Sequence, residues 1–143
     1  MKHLYLSFLL LLVLNCSNHP EQFISHIEGY WEINEVTLPD GNKKIYDFND
    51  TVDYFKVTDS LTGFRKKLKP NLSGGYETSK DVETFHLKIE NDSLNIYYDT
   101  NFAHWKETIL SASEKEMLII NKAKVLYLYK RYQPLNLNND QTP

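Results

Sequence analysis

A single cysteine, Cys16, serves all 143 residues, so the chain cannot form an internal disulfide. Glycine and proline are scarce, five of each, and fall at turn positions, which excludes a linker-rich or low-complexity chain. Apolar runs are missing after Leu14, and none reaches the about 20 residues that a membrane-spanning helix needs. Neither sign of charge dominates. Sixteen Lys plus Arg stand interspersed with 19 Asp plus Glu, for a formal net charge of −3. This mild balance argues against nucleic acid, whose binders cluster basic residues on one face. Fixed-period repeats, a Gly-x-Ser-x-Gly elbow, a phosphate loop and a dinucleotide fingerprint are also absent.

What is present begins with Lys2, a small positive start, followed by the apolar run Leu4 to Leu14. Such a run fits the roughly 7–15 residues of a secretory leader. Asn15, Ser17, Asn18, His19, Pro20 and Glu21 end it at once. Val13-Leu14-Asn15-Cys16 resembles the lipobox of bacterial lipoproteins, with Asn15 where glycine, alanine or serine is usual. The resemblance implies cleavage before Cys16 and lipidation of its thiol. A plain signal peptide with an incidental cysteine is the alternative. Stable anchoring takes at least two fatty chains, at about 0.8 kcal/mol per buried methylene. Ser17 after the cysteine fits the outer membrane of a Gram-negative envelope. The expected organisation is a leader over 1–15, a lipidated N-terminus and tether over 16–23, one β-domain over 24–134 and a flexible tail over 135–143.

From Ile24 onward, short β-type runs recur between turn clusters at intervals of about 8–14 residues, predicting an all-β, antiparallel domain of roughly eight to ten strands. Pro39-Asp40-Gly41-Asn42 is a turn with a mechanism, because proline presets φ and glycine accepts a positive one. Phe85, Leu87 and Ile89 alternate with His86 and Lys88. Helical periodicity is poor, and its best candidate is Pro20 to Ile27, leading into the first strand. Inward positions are expected at Trp31, Ile33, Phe55, Val57, Phe85, Leu87, Leu94, Ile96, Trp105, Ile109, Leu126 and Leu128. An eight-stranded barrel is just wide enough to be filled by its own side chains or to hold one small ligand. Contents this bulky point to a small cavity or none.

Gly29-Tyr30-Trp31, at the head of the first strand, resembles the Gly-x-Trp opening of lipocalins and lipocalin-like barrels. Ile109 to Ile120 resembles a hairpin common in small lipocalin-like lipoproteins of the Bacteroidetes type. The resemblance implies a barrel closed at one end by Trp31, with Arg131 in the last strand packed over it. It also implies a small apolar or amphiphilic ligand in the barrel. The alternative is a non-catalytic interaction or assembly subunit of a cell-envelope complex. Trp31 as an ordinary core residue of another β-sandwich is the bland reading.

Residues able to carry chemistry are scattered. His26, His86 and His104 lack ligand spacing, so no metal and no cofactor is expected. Glu32, Glu35, Asp53 and Glu107 would be paired carboxylates if all faced inward, and a solvated strand face otherwise. Arg65-Lys66-Lys67-Leu68-Lys69 reads as a charged strand that blunts a sheet edge, or as a contact for anionic head groups. Tyr76, Tyr97, Tyr127 and Tyr129, if exposed and clustered, suit a protein or glycan contact. No enzyme activity is expected. The expected partners are a membrane, through the lipid on Cys16, and a small hydrophobic ligand or an envelope protein.

Overall fold

The structure, a computed structural model, describes residues 19–134. Cys16, the leader and the tail lie outside the described residues. Among the described residues one helix, α1 (Pro20–Ile27), precedes ten strands. These are β1 (Gly29–Thr37), β2 (Lys43–Ile45), β3 (Val52–Val57), β4 (Thr62–Pro70), β5 (Tyr76–Thr78), β6 (Glu83–Glu90), β7 (Ser93–Asp99), β8 (His104–Ala112), β9 (Glu116–Asn121) and β10 (Leu126–Arg131). All pairings are antiparallel, and β10 returns to β1, closing eight strands into a barrel. The short strands β2 and β5 extend β1 and β4 as hairpin arms outside that ring.

Closure explains the alternation. In a barrel every strand turns one side chain in and the next one out. Phe85 and Leu87 therefore pack inside with Phe55, Leu94, Ile96, Tyr98, Ile109, Met117, Ile119 and Tyr129, all buried. Full burial of such a side chain contributes about 1.5–3 kcal/mol. Large rings and branched chains occupy the interior, with Phe85 edge-on to Tyr98 at 5.7 Å and Tyr98 stacked on Trp105 at 4.5 Å.

Two expectations on β10 are corrected. Leu126 and Leu128 face outward, and Tyr127 and Tyr129 face the core. The reason is parity: Arg131 pairs directly with Trp31, so Tyr129 and Tyr127 share its side and the leucines cannot. β1 adds a bulge between Ile33 and Glu35. One extra residue reverses the faces beyond it, so Glu35 pairs with outward Leu128 and bridges Lys43 at 2.8 Å. The run Arg65 to Lys69 is not a sheet edge, because β4 lies between β3 and β6 and carries β5 beyond. The described part of the segment expected as a tether is helical from residue 20. α1 begins at Pro20, and Phe23 packs against the core beside Ile24.

Candidate functional site

One end of the barrel is shut by α1 and by two residues that bind its last turn. The final carbonyls of a helix have no partner within it. Here the Trp31 Nε1–H donates to the Ile27 carbonyl at 2.7 Å. The Arg131 guanidinium donates to the carbonyls of His26 at 3.0 Å and Glu28 at 2.8 Å. Its Nε reaches a third carbonyl, that of Glu114 in the β8–β9 turn, at 3.0 Å. Arg131 Cζ meanwhile lies 3.7 Å from the Trp31 ring centroid. The structure thus brings Trp31 and Arg131 together as a clasp that joins helix, first strand, last strand and a turn. Burial lowers the guanidinium's pKa from its ordinary value, against the pull of Glu114.

Toward the other end the interior turns polar. Arg65, on β4, points inward between Glu83 and Glu107, with Glu107 Oε2 at 3.4 Å and the Tyr98 ring centroid 4.6 Å away. Burial opposes its charge, but Tyr98, the hydrogen bond to Glu83 and the charge of Glu107 outweigh it and hold the pKa above the ordinary value. Burial pushes the Glu107 carboxyl up, and Arg65 pulls it back. Asp53 accepts from the Tyr129 hydroxyl at 3.2 Å, while its other oxygen has only the ion-pair contact with Lys67 at 3.3 Å. The buried Tyr98 hydroxyl lies beside the Glu107 carboxyl, whose pKa it lowers, and meets no closer acceptor among the described residues. Of the four candidate carboxylates, only Asp53 and Glu107 share the interior. Glu32 is held outside by Lys130 at 3.6 Å and by Asn49, and Glu35 lies beyond the bulge.

The histidines are placed apart. His86 stacks on Tyr97 on the outer wall at 5.1 Å, His104 meets Asp99 at 2.9 Å, and His26 belongs to α1. Among the described residues no group of three or more His, Cys, Asp or Glu is placed to hold a metal ion. A polar depression of about 330 Å³ over β6–β8 is self-satisfied. There Glu90 takes Lys88, Tyr97 and Asn95, and Thr108 donates to Asn95 at 2.7 Å.

A second cleft, of about 310 Å³, opens on the outside of the barrel and was not foreseen from sequence. Three loops build it against β1, β4 and β5. Between Trp31, paired with β3, and Glu35, paired with β2, one flank of β1 has no strand beside it. The segment 46–51 fills that gap. Its Tyr46 N–H donates to the Asn34 carbonyl and its Asn49 amide to that of Ile33, at 2.9 and 2.8 Å. This docking presents Asp47, Phe48 and Asp50 to the cleft. Across from them the turn 71–75 wraps around Asn71, whose Oδ1 accepts from the Ser73 and Gly75 N–H groups, with Gly74 at φ +82°. An Asn side chain that mimics a backbone turn is a common device, and here it leaves Leu72 88% exposed.

Tyr76 and Tyr132 line the cleft, and Tyr76 heads a row of rings that leads away from it. Tyr76 stands edge-on to Tyr132 at 6.5 Å and stacks on Tyr30 at 5.1 Å; the row continues through Tyr54 at 4.7 Å and Phe64 at 6.1 Å. Burial, then Tyr30 and Tyr132, push the Tyr76 phenol above its ordinary pKa. Of the four tyrosines named from sequence, Tyr76 alone belongs to this cluster. Tyr97 lies on another wall, and Tyr127 and Tyr129 lie inside.

No curated protein matches the chain. Among solved structures it is similar to a lipocalin-like protein from Bacteroides uniformis ATCC 8492, with 9% identity, a TM-score of 0.47, and 75% of this chain and 99% of that one covered. It is also similar to an uncharacterized protein from Bacteroides eggerthii DSM 20697, with 15% identity, a TM-score of 0.47, and coverage of 74% and 99%. The family model described as "Lipocalin-like domain" matches residues 27–119, more than half of the sequence, and the chain belongs to that family.

Proposed function

We propose that this protein is a non-catalytic binding module of the bacterial cell envelope, tethered to the outer membrane by lipid on Cys16. In this reading it meets an envelope partner at the outer tyrosine cleft. The observation that carries the reading is the contrast between the two surfaces. Inside, Trp31, Phe55, Phe85, Tyr98 and Tyr129 fill the barrel, and the charges of Arg65, Glu83 and Glu107 answer one another. Outside, Phe48 and Leu72 stand 75% and 88% exposed beside a row of half-buried rings. Exposed apolar groups gathered around a cleft mark contact surfaces.

A second reading places a small apolar or amphiphilic ligand in the barrel mouth. It draws support from the polar set Asp53, Arg65, Tyr98 and Glu107 gathered inside the barrel, since ligand sites carry a few placed polar groups among apolar ones. Native mass spectrometry of the full chain, purified in detergent from its own host, separates the two. A co-purifying polypeptide released by Leu72→Ser supports the cleft, and a retained small molecule insensitive to that change supports the mouth. For the tether, palmitate labelling of the wild type and loss of membrane association in Cys16→Ser are expected. A Cys16→Ser form that stays equally membrane-bound would remove it.

A further inference from the structure

We propose that the outer cleft receives an extended segment of a partner polypeptide, with proline or another apolar side chain against its tyrosines and a lysine or arginine beside Asp47 and Asp50. The inference rests on reading the cleft as the contact surface. Three observations carry it.

Shape is the first. Tyr132 and Tyr76 line the cleft, and from Tyr76 a file of rings, Tyr30, Tyr54 and Phe64, continues beyond it along the outer wall. A file suits a ligand with length. Polyproline-type segments are extended, lack internal hydrogen bonds and dock in aromatic-lined grooves at low entropic cost.

Chemistry is the second. Leu72 and Phe48 offer aliphatic and aromatic surface to water on two different loops. Covering them returns free energy in proportion to apolar area. Side chains of a polypeptide achieve this, whereas the hydroxyl-covered surface of a sugar leaves an aliphatic group such as Leu72 poorly matched.

Charge is the third. Glu32 in the lining is already taken by Lys130 and Asn49. The Asp47 and Asp50 carboxylates have neither ion pair nor hydrogen bond among the described residues, and Lys69 is the one cation in the lining. The uncommitted balance is negative, which favours a basic group and disfavours phosphate or an anionic lipid.

The test uses the full chain in detergent and a pool of short labelled peptides, each with two prolines three positions apart and one arginine. A matched pool carries glutamate in place of arginine. Fluorescence anisotropy should show saturable binding of the basic pool, at least fivefold tighter than the acidic pool. Leu72→Ser should weaken it about tenfold with the circular-dichroism spectrum unchanged, as expected for an exposed apolar anchor. Asp47→Asn with Asp50→Asn should erase the preference for arginine. Equal binding of the two pools, or indifference to Leu72→Ser, overturns the proposal. Cellohexaose distinguishes its failure from that of the underlying reading. If the sugar but not the peptides shifts the Tyr76 and Tyr132 ring resonances, the cleft stands and the polypeptide falls. If neither does, both fall.

Discussion

Gly29 leaves open the space that Arg131 occupies. A Cβ placed on Gly29 would collide with Nη1 of the Arg131 guanidinium, and the backbone there has φ +127°, a region that L side chains rarely adopt. The glycine of the Gly-x-Trp opening thus has two physical reasons. It permits the sharp exit from α1 at Glu28, and it clears the path by which Arg131 reaches the carbonyls of His26 and Glu28. Backbone strain of this kind costs about 1–3 kcal/mol on its own. Gly29→Ala should therefore lower stability by at least about 2 kcal/mol once the displaced guanidinium is included. The urea midpoint measures it, and a loss below about 0.5 kcal/mol would show that Arg131 moves aside freely.

Arg131→Lys tests the clasp itself. Lysine keeps the charge over the Trp31 ring but lacks the planar fork that serves three carbonyls at once. The expected cost is about 2 kcal/mol, the scale of one or two charge-assisted hydrogen bonds. Loss of those bonds acts first on α1. Hydrogen exchange at Phe23 to Ile27 should accelerate by a larger factor than exchange in β6 and β7, because the helix is held by the clasp and the barrel by its own ladders. Uniform acceleration would count against this.

The interior ion pair makes a prediction with a sign. Arg65→Leu leaves Glu107 buried beside Tyr98 without its cation, and breaking such a pair costs about 3–5 kcal/mol. Replacing both, Arg65→Leu with Glu107→Met, should recover most of that loss, since apolar substitutes of similar volume are often neutral. pH adds an independent reading. The folded-state pKa of Glu107 lies above its ordinary value of 4.5, so the folded form holds its proton more tightly. That preference favours the fold below pH 4.5 and fades as pH rises through the elevated value. Glu107→Gln should flatten the stability curve over that interval, as followed by urea titration at successive pH values.

The alternation of β6 and the strand-and-turn rhythm made the barrel legible in the sequence, since a two-residue period needs no tertiary information. Which face of β10 points inward was harder to read. Leu126 and Leu128 are the more apolar pair, yet the constraint that decides is the registration of Arg131 with Trp31. The bulge in β1 likewise left no local mark, and it separates Glu35 from Asp53 and Glu107. Arg65 read as one of four charges in a run, because nothing near it in sequence announces Glu83 and Glu107 across the barrel. The outer cleft was the least visible. Its walls come from residues 47–50, 69–76 and 132–134, segments that meet only after the strands have closed.

The outer wall supplies the last prediction, at the acid end of the pH scale. Glu90 is hydrogen-bonded by Lys88, by the Tyr97 hydroxyl and by Asn95, in that order of effect, which brings its pKa down from 4.5 to about 2. A carboxyl depressed in the folded state stabilises the fold at any pH above its unfolded value, and the contribution drains away between pH 4.5 and about 2. Removing Tyr97 by Phe substitution deletes one donor while leaving the ring on His86. The Glu90 carboxyl should then titrate at a higher pH in Tyr97→Phe, seen by carbon-detected NMR of its side chain. The acid limb of the stability curve should begin at a correspondingly higher pH. An unmoved Glu90 titration would mean that Lys88, with Asn95, sets it without the phenol. The exposed position of Lys88 argues against that, because salt screens a surface ion pair far more than a hydrogen bond to a neutral phenol. Repeating the titration at raised ionic strength should therefore reduce the contribution of Lys88 and leave the difference between wild type and Tyr97→Phe in place.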